Sequence, residues 1–262
     1  MERLDQLIPL ILEMGQYAVE NQKEIAIDYK GDGSIITETD LTINKTLSNK
    51  IKELFPEAQV ISEEEKETYS MDTQWTFVLD PIDGTDAYSQ GLPSWCIAIG
   101  ILDRDKEPVG AIINAPRFGV GTHDGLFIRQ NPYQKASVNG KPMTNRLLTR
   151  ELRSFATSSK ILEYFPLPKQ ELTLRGFGSN ILNMLAPVLF TNIQGSFTDP
   201  KCSVWDVGAS HAILRSEGMN VIYYDGTPFK YDENLLLHRK SLGKALLAGT
   251  AEALVDLQKL FV

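Results

Sequence analysis

Apolar residues recur at helical spacing from the start of the chain. Leu4, Leu7, Ile8, Ile11, Met14 and Ala18 share one side of a helix over residues 2–22, which Pro9 is expected to kink. Ile25, Ile27 and Tyr29 alternate as in an extended segment, and Gly31-Asp32-Gly33-Ser34 follows as a flexible turn. Leu41, Ile43, Leu47, Ile51 and Leu54 predict a second amphipathic helix from about Asp40, closed by Pro56. Residues 58–62 read as a short strand running into Glu63-Glu64-Glu65.

A run of Trp75, Phe77, Val78 and Leu79 predicts a buried strand that stops at Asp80, because Pro81 has no N–H for the ladder. Asp83-Gly84-Thr85 then reads as a turn into a short helix. Residues 96–102, 109–114 and 125–129 look like antiparallel strands, and Asn139-Gly140 is a hairpin signal. The second half alternates: strand 154–158, helix 179–191, strand 195–198, helix 206–215, strands 220–224 and 244–248, and a last helix from about Ala251. No repeat or linker divides the chain, which reads as one compact unit over 1–262 with approximate lobes 1–145 and 146–262. The fold class expected is α/β in the α+β sense.

With 262 residues, 42% of them hydrophobic, the chain can bury a large core. Its net charge of −8 and lack of a basic block argue against a nucleic-acid partner. Cys96 and Cys202 form no C-x-x-C pair, which disfavours a structural zinc site and fits a reducing compartment. No apolar run reaches spanning length and no leader pattern opens the chain, so a soluble cytoplasmic protein with no membrane partner is expected.

The chemistry centres on WTFVLDPIDGTDAYSQGLP at 75–93. Asp80 and Asp83 at a strand end repel each other unless a proton or cation lies between them. Oxygen-only ligands suit a hard cation such as Mg²⁺, and the free N–H groups of a helix start suit phosphate. Asp40, Glu63 and Asp206 stand in similar contexts. Taken singly, Asp40 and Asp206 read as helix caps and Glu63 as part of a solvated acidic turn.

Together with ISEEE, ITETD, GSNILNMLAPVLFTNIQGSF and VWDVGASHAIL, the segment VLDPIDGTDAYSQGLP resembles the inositol monophosphatase family over nearly the full length. That resemblance implies layered α/β/α/β/α packing with an antiparallel first sheet and a mixed second sheet. It implies two or three Mg²⁺ ions held by Glu63, Asp80, Asp83, Asp206 and the Ile82 carbonyl. Asp40, Thr85 and Glu63 become the catalytic set, with Asp40 and Thr85 orienting the attacking water. Asp83, Gly84, Thr85, Asp199 and Asp206 become the substrate-binding set, with the phosphate on the Gly84 and Thr85 N–H groups. Lys30 reads either as part of a loop that closes over metal or as a solvated lysine. A small phosphorylated substrate and a homodimer follow from the same likeness.

Asp199 stands where the family's polyol-binding acid is a glutamate, and Asp86-Ala87-Tyr88 also departs from the family pattern. An inositol or related polyol monophosphate is the substrate expected. The alternatives are 3′-phosphoadenosine 5′-phosphate, fructose 1,6-bisphosphate, and a non-catalytic phosphate sensor. A haloacid-dehalogenase-type mechanism needs an aspartate where Pro81 stands and is rejected.

Overall fold

A computed structural model describes residues 2–23, 25–31, 33–65, 67–120, 125–143, 153–158, 161–164 and 172–260. Asp32 of the expected glycine turn and the expected lobe boundary at 145/146 lie outside them.

Five layers stack in the order helix, sheet, helix, sheet, helix. Helices Leu7–Asn21 and Glu38–Leu54 cover one face of a sheet with strand order Ala58–Ser62, Trp75–Asp83, Cys96–Leu102, Pro108–Ala115, Leu126–Gln130, Ser137–Val138, Lys141–Pro142. Helices Asn180–Leu189 and Gly208–Ser216 fill the space between this sheet and a second one. The second sheet runs Thr173–Arg175, Ser154–Thr157, Gly195–Thr198, Leu246–Gly249, Asn220–Tyr223, with helix Ala251–Lys259 outside. Its first two pairings are parallel and its last two antiparallel, so it is mixed.

The central strands are buried on both sides, and alternation decides which core each residue joins. Along Cys96–Leu102, Ile97, Ile99 and Ile101 pack under the N-terminal helices, while Cys96, Ala98 and Leu102 face the inner helices. Gly100 allows the closest approach: a Cβ there would stand 2.6 Å from the Gly208 carbonyl carbon, so only glycine lets the inner helix lie on the strand.

Two expectations are corrected. The first helix breaks at Gln6 instead of kinking at Pro9, giving Glu2–Asp5 and Leu7–Asn21. Pro9 cannot donate to the Asp5 carbonyl and its ring crowds it, so the break falls a turn earlier, where a proline costs little. The strand at Trp75 does not stop at Asp80 but continues through Pro81 to Asp83. The ladder absorbs the missing donor by a register shift between Asp80 and Asp83, and Asp83 pairs with Cys96. Ile35–Thr37, unassigned from the sequence, pairs with Ile27–Tyr29. The first sheet is antiparallel except at one edge, where Ala58–Ser62 runs parallel to Trp75–Asp83. That exception positions the site: Ser62, the last residue of the edge strand, lies opposite Leu79, so Glu63 leaves the sheet next to Asp80 of the continuing neighbour strand.

Candidate active site

Acids from both halves of the chain converge where those two parallel strands end. Oxygens of Asp80, Asp83 and Asp206 all lie within 4.8 Å of one another. Asp80 is fully buried, and its Oδ1 has no hydrogen-bond partner. Burial, with the charges of Glu63, Asp83, Asp206 and Asp40 around it, pushes the Asp80 carboxyl well above the usual range. An orphaned carboxylate oxygen among acids is costly without a cation, and a hard, oxygen-liganded ion fits this donor set.

Asp83 is better held. Its Oδ2 accepts from the Ser179 hydroxyl and from the Ile181 N–H at 2.8 Å, and its Oδ1 from the Asn180 N–H at 3.2 Å. These donors are the cap and first turn of helix Asn180–Leu189, whose dipole favours a negative charge there. Burial nevertheless outweighs them and, with Asp206 beside it, raises the Asp83 carboxyl to about 7. Asp206 accepts from the Ser203 N–H at 2.7 Å and from Asn180 Nδ2 at 3.0 Å, and burial raises its carboxyl too. Asn180 therefore ties two of the clustered acids together, one through its main chain and one through its side chain.

Glu63 lies beside this cluster rather than within it. Its Oε1 pairs with Lys30 Nζ at 2.6 Å, and the same ammonium pairs with Glu64 at 2.6 Å. Burial opposes the Lys30 charge, but the two carboxylates hold its pKa above the usual value. Burial also lifts Glu63 to about 8, with Asp206 and Glu64 adding to it against Lys30. Lys30 is thus an ion-paired lysine reaching the acids, not a solvated one.

Asp40 does cap its helix, from the third helical position with Thr37 as the N-cap residue, and it also faces Thr85. It occupies the third position of helix Glu38–Leu54, where its Oδ2 accepts from the Thr37 N–H at 2.9 Å and from the Thr37 hydroxyl, completing a capping box. Its Oδ1 faces Thr85, whose hydroxyl lies 3.3 Å from it and 2.8 Å from the Ile82 carbonyl. Burial raises the Asp40 carboxyl to about 6. Gly84 joins Asp83 to Thr85 at φ 91°, and a Cβ there would stand 3.1 Å from both the Gly178 and Ser94 carbonyl oxygens, so a side chain would be strained and crowded. Helix Thr85–Ser89 starts directly after it.

Asp199 stands apart. It is buried after strand Gly195–Thr198, and its Oδ1 accepts from the Lys201 N–H at 2.7 Å within its own turn. His211 does not serve the acids either. Burial lowers its pKa to about 3, its Nδ1 lies 3.1 Å from the Tyr231 hydroxyl, and it lines a cleft of about 520 Å³ near Pro108. Pro108 pairs with Leu102, at the end of the sheet away from Asp83.

A model of the inositol monophosphatase family matches residues 4–259 of the chain. This chain belongs to that family. It is 31% identical over 221 residues to inositol monophosphatase 3 of Solanum lycopersicum, covering 78% of each chain. It is 24% identical over 237 residues to the 3′(2′),5′-bisphosphate nucleotidase CysQ of Buchnera aphidicola, covering 87% of each. An IMPase/NADP phosphatase complexed with Mg²⁺ and phosphate superposes with a TM-score of 0.77 at 16% identity, over 99% of this chain and 95% of that one. As an inositol monophosphatase family member the protein is a phosphatase, and its cofactor is Mg²⁺. No helix among the described residues is long and apolar enough to cross a membrane.

Sequence reading missed Ser179 and Asn180 as parts of this site. Ser179 carried a signal, since a serine ahead of an apolar helical run is a capping residue. Nothing in the sequence indicated that the helix it caps would point at Asp83.

Proposed function

We propose that this phosphatase hydrolyses monophosphate esters of inositol or a closely related polyol. The observation that supports the chemistry is the cluster of Asp80, Asp83 and Asp206 beside the Asp40–Thr85 pair. Glu63, Asp80, Asp83, Asp206 and the Ile82 carbonyl are the groups that would hold Mg²⁺. When bound, Mg²⁺ supplies Lewis acidity and offsets phosphate charge.

The chain's own residues then have distinct tasks. The Gly84 and Thr85 N–H groups hold the phosphate oxygens at the helix start. The Thr85 hydroxyl, directed by Asp40 Oδ1, aligns a water for in-line attack on phosphorus. Asp40, whose carboxyl burial raises above the usual range, can take up a proton from that water through Thr85 Oγ1. Asp199 Oδ2 accepts from a polyol hydroxyl. Aspartate is one methylene shorter than glutamate, so the polyol sits deeper or a water bridges the gap. A homodimer is part of the same reading, and sedimentation of the purified protein tests it.

Phosphate release from inositol monophosphates, fructose 1,6-bisphosphate and 3′-phosphoadenosine 5′-phosphate, with Mg²⁺ and with chelator, tests the proposal. The highest kcat/KM is expected for an inositol monophosphate, with no turnover in chelator. Preference for a doubly phosphorylated substrate would replace the polyol assignment. Binding of these compounds without any turnover in Mg²⁺ would point to a sensor.

A further inference from the structure

The turn that carries Glu63 has no regular structure, yet its main chain is gripped by a residue from the other half of the molecule. Arg239 Nη1 donates to the Ser62 carbonyl at 2.9 Å and to the Glu65 carbonyl at 2.5 Å, and Nη2 lies 3.4 Å from the Glu67 carbonyl. Three carbonyls around one acidic turn are thereby held by one planar, forked donor, which an ammonium cannot imitate.

The backbone of Arg239 makes the placement more telling. It lies at φ 51°, in the left-handed turn after helix Glu233–Leu236, where the His238 N–H returns to the Glu233 carbonyl and the Lys240 N–H to the Asn234 carbonyl. Glycine or asparagine is the usual occupant of such a position, because a larger side chain pays a steric penalty there. An arginine with its guanidinium half-buried against three carbonyls offsets that penalty only through those bonds.

The other cations nearby act on side chains. Lys30 pairs with Glu63 and Glu64, and Lys52 with Glu65 and Glu67. They neutralise the turn without fixing its path.

We infer that Arg239 is a positioning residue for the metal site: by holding the Ser62, Glu65 and Glu67 carbonyls it sets the main-chain path around Glu63 so that Glu63 stays beside Asp80. This rests on the proposed role of Glu63 as a Mg²⁺ ligand. The hydrogen bonds of the Arg239 guanidinium go to main-chain carbonyls of the turn, so it acts through the turn.

The test compares wild type with Arg239→Lys, Arg239→Gly and Glu63→Gln. Arg239→Lys keeps the charge and loses the fork; Arg239→Gly relieves the left-handed backbone and removes the guanidinium. Three quantities are read: the Mg²⁺ concentration giving half-maximal phosphate release, the rise in melting temperature with Mg²⁺ alone, and amide hydrogen exchange of residues 62–67 in chelator. Both Arg239 variants are expected to need about tenfold more Mg²⁺ or more, with kcat at saturating Mg²⁺ within about threefold of wild type. Their Mg²⁺-induced stabilisation should shrink, and exchange should quicken in 62–67 while the core strands are unchanged. Wild-type Mg²⁺ response in both, or exchange quickened uniformly over the chain, overturns the inference. A wild-type Mg²⁺ response in Glu63→Gln instead removes Glu63 from the ligands, and the exchange data then judge the grip of Arg239 separately.

Discussion

The carboxylate of Asp83 accepts a hydrogen bond from the hydroxyl of Ser179, 96 positions further along the chain. Ser179 at the same time accepts from the Leu182 N–H at 3.0 Å as the cap of helix Asn180–Leu189. One hydroxyl therefore orders a helix and aims it at a clustered acid. The end of a strand in the first half and the start of a helix in the second become a single unit, which lets a fully buried carboxylate keep a defined orientation.

Asp83→Asn is expected to lower Mg²⁺-dependent turnover by about a hundredfold or more while the protein stays folded. The amide oxygen can still accept from Ser179 and Ile181, but its NH₂ then opposes the Asn180 N–H, so relief of like-charge repulsion is partly cancelled. Turnover is measured against circular dichroism and melting in chelator. Retained turnover would remove Asp83 from the essential groups.

Thr85→Ala and Asp40→Asn should each reduce kcat by on the order of a hundredfold, because the attacking water loses its alignment. Mg²⁺ affinity should change little for Thr85→Ala. Asp40→Asn weakens the Thr37 capping box but also removes a buried charge, so the two effects on stability oppose each other at neutral pH. A lost metal affinity with an unchanged saturated rate would make the pair structural.

The metal-free protein should lose stability as pH rises from about 4 to about 8. Asp40, Asp83 and Glu63 have folded-state values raised, mainly by burial, to about 6, 7 and 8. The folded state therefore holds more protons than the unfolded chain across that window. Stability is full below the unfolded carboxylate values and declines as pH passes the folded ones. Saturating Mg²⁺ should flatten or reverse this slope by favouring the ionised acids. Melting curves at pH 5 and pH 8, with chelator and with Mg²⁺, decide it; a metal-free protein more stable at pH 8 would contradict the acid cluster as drawn.

Asp199→Ala should raise KM for an inositol monophosphate about tenfold and leave a small generic phosphate ester nearly unaffected, since that ester does not extend to the polyol subsite. Equal losses on both substrates would make Asp199 a structural residue of its own turn, where it already accepts from the Lys201 N–H.

Local physics made much of this protein legible from its sequence. Apolar periodicity identified helices Leu7–Asn21, Glu38–Leu54 and Ala251–Lys259, and a hydrophobic run identified the strand from Trp75 to Asp80, though not its continuation to Asp83. These patterns depend on neighbours a few residues apart, so they survive without a tertiary structure. The family resemblance named the acids. It did not show that Asp40 would cap its helix and face Thr85 with the same carboxylate.

Tertiary structure alone decided the rest. A proline read as a strand end is carried through a bulge because the neighbouring strand supplies the shifted pairing. Glu63 and Asp80 are adjacent because one edge strand is parallel, a choice made by the path of the connection between them. Ser179 on Asp83 and Arg239 on the Ser62 carbonyl are bonds between residues 96 and 177 positions apart. Hydrogen bonds of that range leave no periodic trace in a sequence, because their donors are brought to their acceptors only when sheets and helices pack.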